Sequence, residues 1–171
     1  MPTKNILTNA CRRFRVLPIL AVLLFILPQV LQAQSKYVKK YRHIADSLAS
    51  IYDVPAAVIL GVAIVESGGG NSRNAKLLNN HFGIVGKNNL LKTKHIKSRY
   101  KQYSSVAASY EDFCKLLSRR KFYPTLKGNK DYRLWVDAIS KTGYSEAPAE
   151  WKKRITAAIR KNKLAPVHHS K

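Results

Sequence analysis

Glu66 is the first acid to follow twelve uncharged residues, Val54 to Val65, the most apolar segment beyond the N-terminal region. Ile59, Val62 and Glu66 are spaced by three and four, so on a helix the carboxylate continues an apolar stripe. A carboxyl group beside such a wall is partly desolvated, which raises its pKa and keeps it protonated closer to neutral pH. That is the property of a general acid that delivers a proton to a leaving oxygen, as cleavage of a glycosidic bond requires. Ser67 and the glycines Gly68 to Gly70 follow, and the glycines have no side chains to block a long polymer. The same residues also fit a plain helix end, with the glycines stopping the helix and Glu66 solvated. Against that, a negative charge at a helix C-terminus meets the unfavourable end of the dipole, so stability alone does not call for glutamate there.

Other chemistries have less to stand on. His43, His81 and His95 show no ligand spacing, and His168 and His169 are adjacent only at the C-terminal end. No metal and no cofactor are therefore expected. "SGGGNS" lacks the preceding strand and the Gly-Lys-Ser/Thr ending of a phosphate loop. Cys114 sits within a helical apolar pattern, where a buried thiol is the ordinary outcome.

The elements that would position Glu66 follow from periodicity. Tyr37, Tyr41, Ile44, Leu48 and Ile51 form one face of an amphipathic helix. Asp53 as an N-cap and Pro55 near a first helical position open a second helix, running to about Ser67, that is apolar nearly all round and hence buried. Asn71 or Ser72 caps a short third helix. From Gly83 to Tyr103 the helical period fails, and the turn signals at Gly86 and Asn88-Asn89 suggest a small hairpin or irregular lobe. Ser104 or Ser105 then opens a helix bearing Val106, Tyr110, Phe113 and Leu117 on one stripe. "YPTLKGNK" reads as a turn, "DYRLWVDAISKTG" as a helix stopped at Gly143, and Pro148 begins the last helix. The class is α+β, mainly α, with a small, short β-lobe.

Residues 1–33 have the order of a secretory signal, with the basic "CRRFR", the apolar "VLPILAVLLFIL" and a cut expected after Ala33. An uncleaved anchor is the alternative, although twelve apolar residues are short for a span. The remaining 138 residues, 34–171, suffice for one domain with a real core, with the last few residues frayed. Four of the 31 Lys and Arg lie in the signal, leaving 27 against all nine acids, a charge of +18. Such a charge seeks anionic surfaces, and for an exported chain these are envelope polymers and lipid headgroups rather than nucleic acid. Only Cys114 survives removal of the signal, so no disulfide forms within the domain.

Beyond this reading, the residues carry a resemblance. "VILGVAIVESGGGNSRNAKLLNNHFGIVG" resembles the signature of the bacterial cell-wall N-acetylglucosaminidases, glycoside hydrolase family 73 of the flagellar and autolysin type, in which an apolar helix ends in Glu-Ser-Gly and an "NNxFGI" segment follows. "YKQYSSVAASYEDFCKLL" is similar to the family's "FRxYxSxxxSxxDxxxLL", and "DYRLWVDAISKTGYSEAPAEWKKRI" to its C-terminal ending. Three separated motifs occur in the family's order, across about Tyr37 to Leu164.

The resemblance implies a lysozyme-like fold and a peptidoglycan hydrolase whose partner is the glycan strand; the signal adds export, the charge adds contact with a membrane surface, and a monomer is expected. It implies Glu66 as general acid and Tyr144, in "KTGY", as a cleft tyrosine that assists. It also implies that Ser67, Gly68, Asn80 and Phe82 border the sugar groove; Phe82 fits the core equally well. One departure matters. Family members often draw a second acid from the lobe, yet residues 85–103 contain no Asp or Glu. Glu111 and Asp112 are the next acids along the chain. The substrate's own N-acetyl group could serve instead, and a lytic transglycosylase or a catalytically silent wall-binding protein remain open. The lobe's cations, Lys87, Lys92, Lys94, Lys97, Arg99 and Lys101, suit contact with wall carboxylates.

Overall fold

The helix carrying Glu66 is the one about which the others are arranged. It is labelled α2, Ala56–Ser67, and nine of its twelve residues are buried, so it has no solvent face to keep polar. Ile59, Leu60, Val62 and Ile64 are shielded from water, each contributing about 1.5–3 kcal/mol relative to exposure. The computed structural model describes residues 36–165; the expected signal and the C-terminal tail with its His pair lie outside the described residues. An amphipathic helix over residues 36–52, α1, precedes α2. After α2 come α3 (Arg73–Leu78), α4 (Leu90–Lys94), α5 (Val106–Ser118), α6 (Tyr123–Leu126), α7 (Tyr132–Ser140) and α8 (Pro148–Lys161).

α2 packs mainly on α8, with α5 and α7 completing its surround. The close approach of α8 depends on Gly61, because a Cβ there would stand 2.6 Å from Ile159 Cγ1. Trp135, Tyr110, Phe113, Ile139 and Ile155 fill the core around this contact. Cys114 lies in the same core, and burial pushes its thiol up to about 12, which leaves it inert.

The boundaries follow the chemistry of the caps, with three differences from expectation. Ser72 and Ser105 accept from the amides of Ala75 and Ala108, and Asp131 opens α7 by accepting from Arg133 N. Pro55, however, is itself the N-cap of α2, and Asp53 adopts a left-handed φ of 50° with its carboxylate toward Lys127 at 3.6 Å. The expected turn at "YPTLKGNK" contains the short helix α6, because Pro124 fits a first-turn position. α7 ends at Ser140, before Gly143.

The expected lobe is present, but among the described residues its β character is one antiparallel bridge, Val85 with Tyr100. Side chains take the places where a ladder would continue. Asn88 Nδ2 donates to the carbonyls of Ser98 and Tyr100 at 2.9 and 2.8 Å, and Asn89 N donates to Gln102 Oε1. The intervening chain folds into α4 and leaves it through a left-handed His95.

Candidate active site

Glu66 stands on the last turn of α2, half-buried, where three parts of the chain converge. From α8, Trp151 Nε1 donates to Glu66 Oε1 at 2.7 Å. From the segment after α3, Gly83 faces the other oxygen, since a Cβ at Gly83 would lie 3.5 Å from Glu66 Oε2. Gly83 has φ +67°, so this position combines a left-handed backbone with an acid at its face. The third part is the stretch between α7 and α8, which brings Tyr144. Its ring lies 5.6 Å from that of Trp151, and its hydroxyl donates to the Phe82 carbonyl at 2.5 Å.

The electrostatics follow from this packing. Burial raises the Glu66 carboxyl above its ordinary range, and the indole hydrogen bond and the charge of Arg154 pull it only part of the way back. Burial likewise pushes the Tyr144 phenol well up, with the charge of Glu66 and then Tyr103 adding to the effect. Tyr144 is therefore neutral at any working pH, with its one proton held by the Phe82 carbonyl and its oxygen left as an acceptor. The pair can present one carboxyl group and one accepting phenol oxygen to the same approaching group.

The "ESGGGNS" turn holds the acid in place through its backbone. Ser67 Oγ donates to Ala63 O at 2.6 Å and accepts from Gly70 N at 2.8 Å, while Gly69 N closes the helix end on Ile64 O at 2.8 Å. Ser72 N then bonds Ser67 O at 2.8 Å, which carries the chain straight into the cap of α3. Ser67 is fully buried, so its side chain supports the turn, and Gly68 is the exposed member of the pair.

Asn80 and Phe82 are also interior. Asn80 Nδ2 donates to the carbonyls of Ile84 and Lys101 at 2.9 and 2.8 Å, and its Oδ1 accepts from Phe82 N and Ile84 N. It thus staples the turn bearing Gly83 to the return limb of the lobe. Phe82, expected at the groove border, is 1% exposed and stacks on Phe113 at 4.3 Å. Its aromatic ring satisfies the core while its carbonyl receives Tyr144. The motif therefore shapes the site through its backbone rather than through these side chains.

His81, for which no role was expected, is buried beside α1. Tyr37 Oη and His81 Nδ1 are hydrogen-bonded at 2.6 Å, and Tyr37 Oη meets Tyr110 Oη at 2.7 Å. Burial and the charge of Lys40 bring the imidazole down to about 4, so it is neutral near pH 7 and its bonds tie α1 to the motif segment.

Neither of the next two acids stands free. Glu111 pairs with Lys115 at 2.6 Å on the outer face of α5. Asp112 accepts from Lys101 Nζ at 2.7 Å and from Tyr103 Oη at 2.8 Å. Burial alone would raise its carboxyl, but those two hydrogen bonds and the nearby cations outweigh it and hold the group below its ordinary range.

Trp151, Gly83 and Arg154 are the members of the site that sequence reasoning missed. A signal for Trp151 exists in hindsight. It lies four residues before Ile155 on the buried stripe of α8, and a buried indole N–H needs an acceptor.

This constellation can be set beside known proteins. A profile of the family described as Glucosaminidase, mannosyl-glycoprotein endo-β-N-acetylglucosaminidase, matches residues 42–164. The chain belongs to the glucosaminidase family. The glucosaminidase domain is 28% identical over 138 residues to the Exo-glucosaminidase LytG of Bacillus subtilis (strain 168), a match that covers 70% of this chain and 48% of that protein. The chain thus spans about half the length of this relative. The catalytic domain of the autolysin Auto from Listeria monocytogenes shares the fold with a TM-score of 0.63 at 21% identity, over 77% of this chain and 85% of that one. A chain of a type VI secretion system effector-immunity complex from Pseudomonas protegens superposes with a TM-score of 0.57 at 22% identity, over 77% of this chain and 94% of that one. The mainly helical glucosaminidase fold expected from the sequence is the fold observed.

Proposed function

We propose that this glucosaminidase domain is an exported peptidoglycan hydrolase that cleaves the β-1,4 bond between N-acetylglucosamine and N-acetylmuramic acid. The observation that carries the reading is the Glu66 carboxyl, half-buried and fixed by the Trp151 indole at 2.7 Å, with its pKa raised. A raised pKa enlarges the protonated fraction of the group, and in that form it can give its proton to the departing oxygen. Because residues 85–103 supply no acid, the carbonyl oxygen of the substrate's acetamido group is the nucleophile at the anomeric carbon. Glu66, then a carboxylate, takes a proton from the water that opens the cyclic intermediate. Tyr144, whose proton is held by the Phe82 carbonyl, orients the acetamido group by accepting from its N–H. Export rests on residues 1–33, which lie outside the described residues; within those described, no helix is long and apolar enough to cross a membrane.

A lytic transglycosylase is the second reading, favoured by the same lack of a lobe carboxylate, since that reaction also proceeds with one glutamate. Mass spectrometry of fragments released from purified peptidoglycan separates the two. The expected product carries reducing N-acetylglucosamine ends. Anhydro-muramic ends would replace hydrolysis with transglycosylation, and sacculus binding without fragments would leave a wall-binding protein.

A further inference from the structure

Two depressions run along the end of α5. The first, of about 400 Å³, begins at Ile84 and Val85, the residues next to Gly83, and continues over Asp112 and Leu116 to Arg119 and Arg120. The second, of about 610 Å³, starts from the same two arginines and passes Phe122 and Ala138 to Lys141 and Thr142. Sharing Arg119 and Arg120, the two form an arginine-lined channel with apolar residues on its walls.

The charges in this channel are not balanced. Asp112 is bonded to Lys101, and Asp137 is held between Lys141 and Lys152 at 2.6 and 2.7 Å. Arg119, Arg120 and Lys121 have no ion pair within 4.0 Å among the described residues, although the charge of Arg119 is felt by Asp112. Two adjacent arginines in a channel with apolar walls suit carboxylates attached to a short aliphatic chain, because arginine binds them in bidentate fashion.

We infer that the Arg119–Arg120 channel binds the carboxylate-bearing peptide stem of the muramoyl residue next to the scissile bond. The inference rests on the peptidoglycan-hydrolase reading. In that substrate the sugars are neutral and the stem carries the free carboxylates. The stem also leaves the glycan sideways, and the channel opens one residue from the glycine that faces Glu66. The alanine methyls of a stem meet Ile84, Leu116 and Phe122, while its carboxylates meet the arginines. This contact is distinct from the lobe's lysines: of those, Lys101 alone lines the channel, and it is occupied by Asp112.

The test compares kcat/KM on soluble peptidoglycan chains with that on the same chains stripped of stems by an amidase, for the wild type and for Arg119→Ala/Arg120→Ala. The ratio of intact to stripped activity is expected to fall about tenfold in the double variant, the loss expected for roughly one charge-assisted contact. An unchanged ratio would overturn the inference. A second measurement is independent of turnover: NMR titration of the protein with a soluble stem tetrapeptide, with inorganic phosphate as a control anion. Amide shifts at Ile84, Val85 and residues 119–122 that appear with the peptide and vanish in the double variant support the channel. Equal shifts with phosphate, or none with peptide, contradict it. If the wild type cuts neither substrate, the hydrolase reading fails while the titration still decides the channel.

Discussion

Glu66→Gln is expected to lower the rate of glycan cleavage by about three orders of magnitude, in a protein that remains folded. Glutamine keeps an oxygen that can accept from Trp151 Nε1, so the packing at the end of α2 survives, but it has no proton to give. The stability change has a definite sign. Burial raises the Glu66 carboxyl in the folded state. A group raised on folding contributes stability that is present below its unfolded pKa and is lost as pH rises through its folded pKa. At pH 7 the wild type therefore bears the cost of a half-buried carboxylate that the variant lacks. The variant should melt at or above the wild-type temperature at pH 7, and its advantage should vanish as pH falls and Glu66 becomes protonated. A variant that cuts at the wild-type rate, or melts lower at pH 7 than at pH 4 relative to wild type, would contradict this assignment.

Asn80→Ala is the second large effect, and it acts on architecture. Asn80 is 1% exposed, and its amide serves the carbonyls of Ile84 and Lys101 and the amides of Phe82 and Ile84. Alanine removes four hydrogen bonds and leaves three backbone groups without their partner at the base of the lobe, since the Ile84 carbonyl still accepts from Lys101 N at 2.8 Å. Some will find water, so the net loss is about 2–4 kcal/mol rather than the full sum. The denaturation midpoint should drop accordingly at unchanged m-value. Activity should fall further than stability alone explains, because Gly83 and the Phe82 carbonyl are positioned by the same turn. A wild-type midpoint and rate would show that the lobe does not need this staple.

Much of the helical frame is legible in the sequence because local rules govern it. The apolar surround of α2, the serine caps at Ser72 and Ser105, and Pro148 at the start of α8 are each decided within a few residues. Glu66 is legible for the same reason, since its stripe and its glycines are adjacent to it. What is not legible depends on distant partners. The Trp151 to Glu66 hydrogen bond joins residues 85 apart and exists only because Gly61 lets α8 lie close on α2. Phe82 reads equally as groove or core until Phe113 is seen against it. Asp53 looks like a cap by type, but its backbone turns left-handed and Pro55 takes the cap position. The lobe reads as a hairpin from its turn residues, yet Asn88 and Gln102 hydrogen-bond through their side chains and leave one bridge.

The central claim is that Glu66 is a proton donor tuned by burial and held by Trp151. It is tested most directly by titrating the Glu66 side-chain carboxyl by carbon NMR in the wild type and in Trp151→Phe, beside the pH dependence of kcat/KM. A general acid works in its protonated form, so activity is lost as pH rises through its pKa. The indole hydrogen bond favours the carboxylate, so its removal should raise that pKa. The predicted result is a wild-type midpoint above the ordinary carboxylate range, a higher one in Trp151→Phe, and an alkaline limb of kcat/KM that moves upward with it. A Glu66 that titrates in the ordinary range, or an alkaline limb that stays in place when its midpoint moves, would contradict the account.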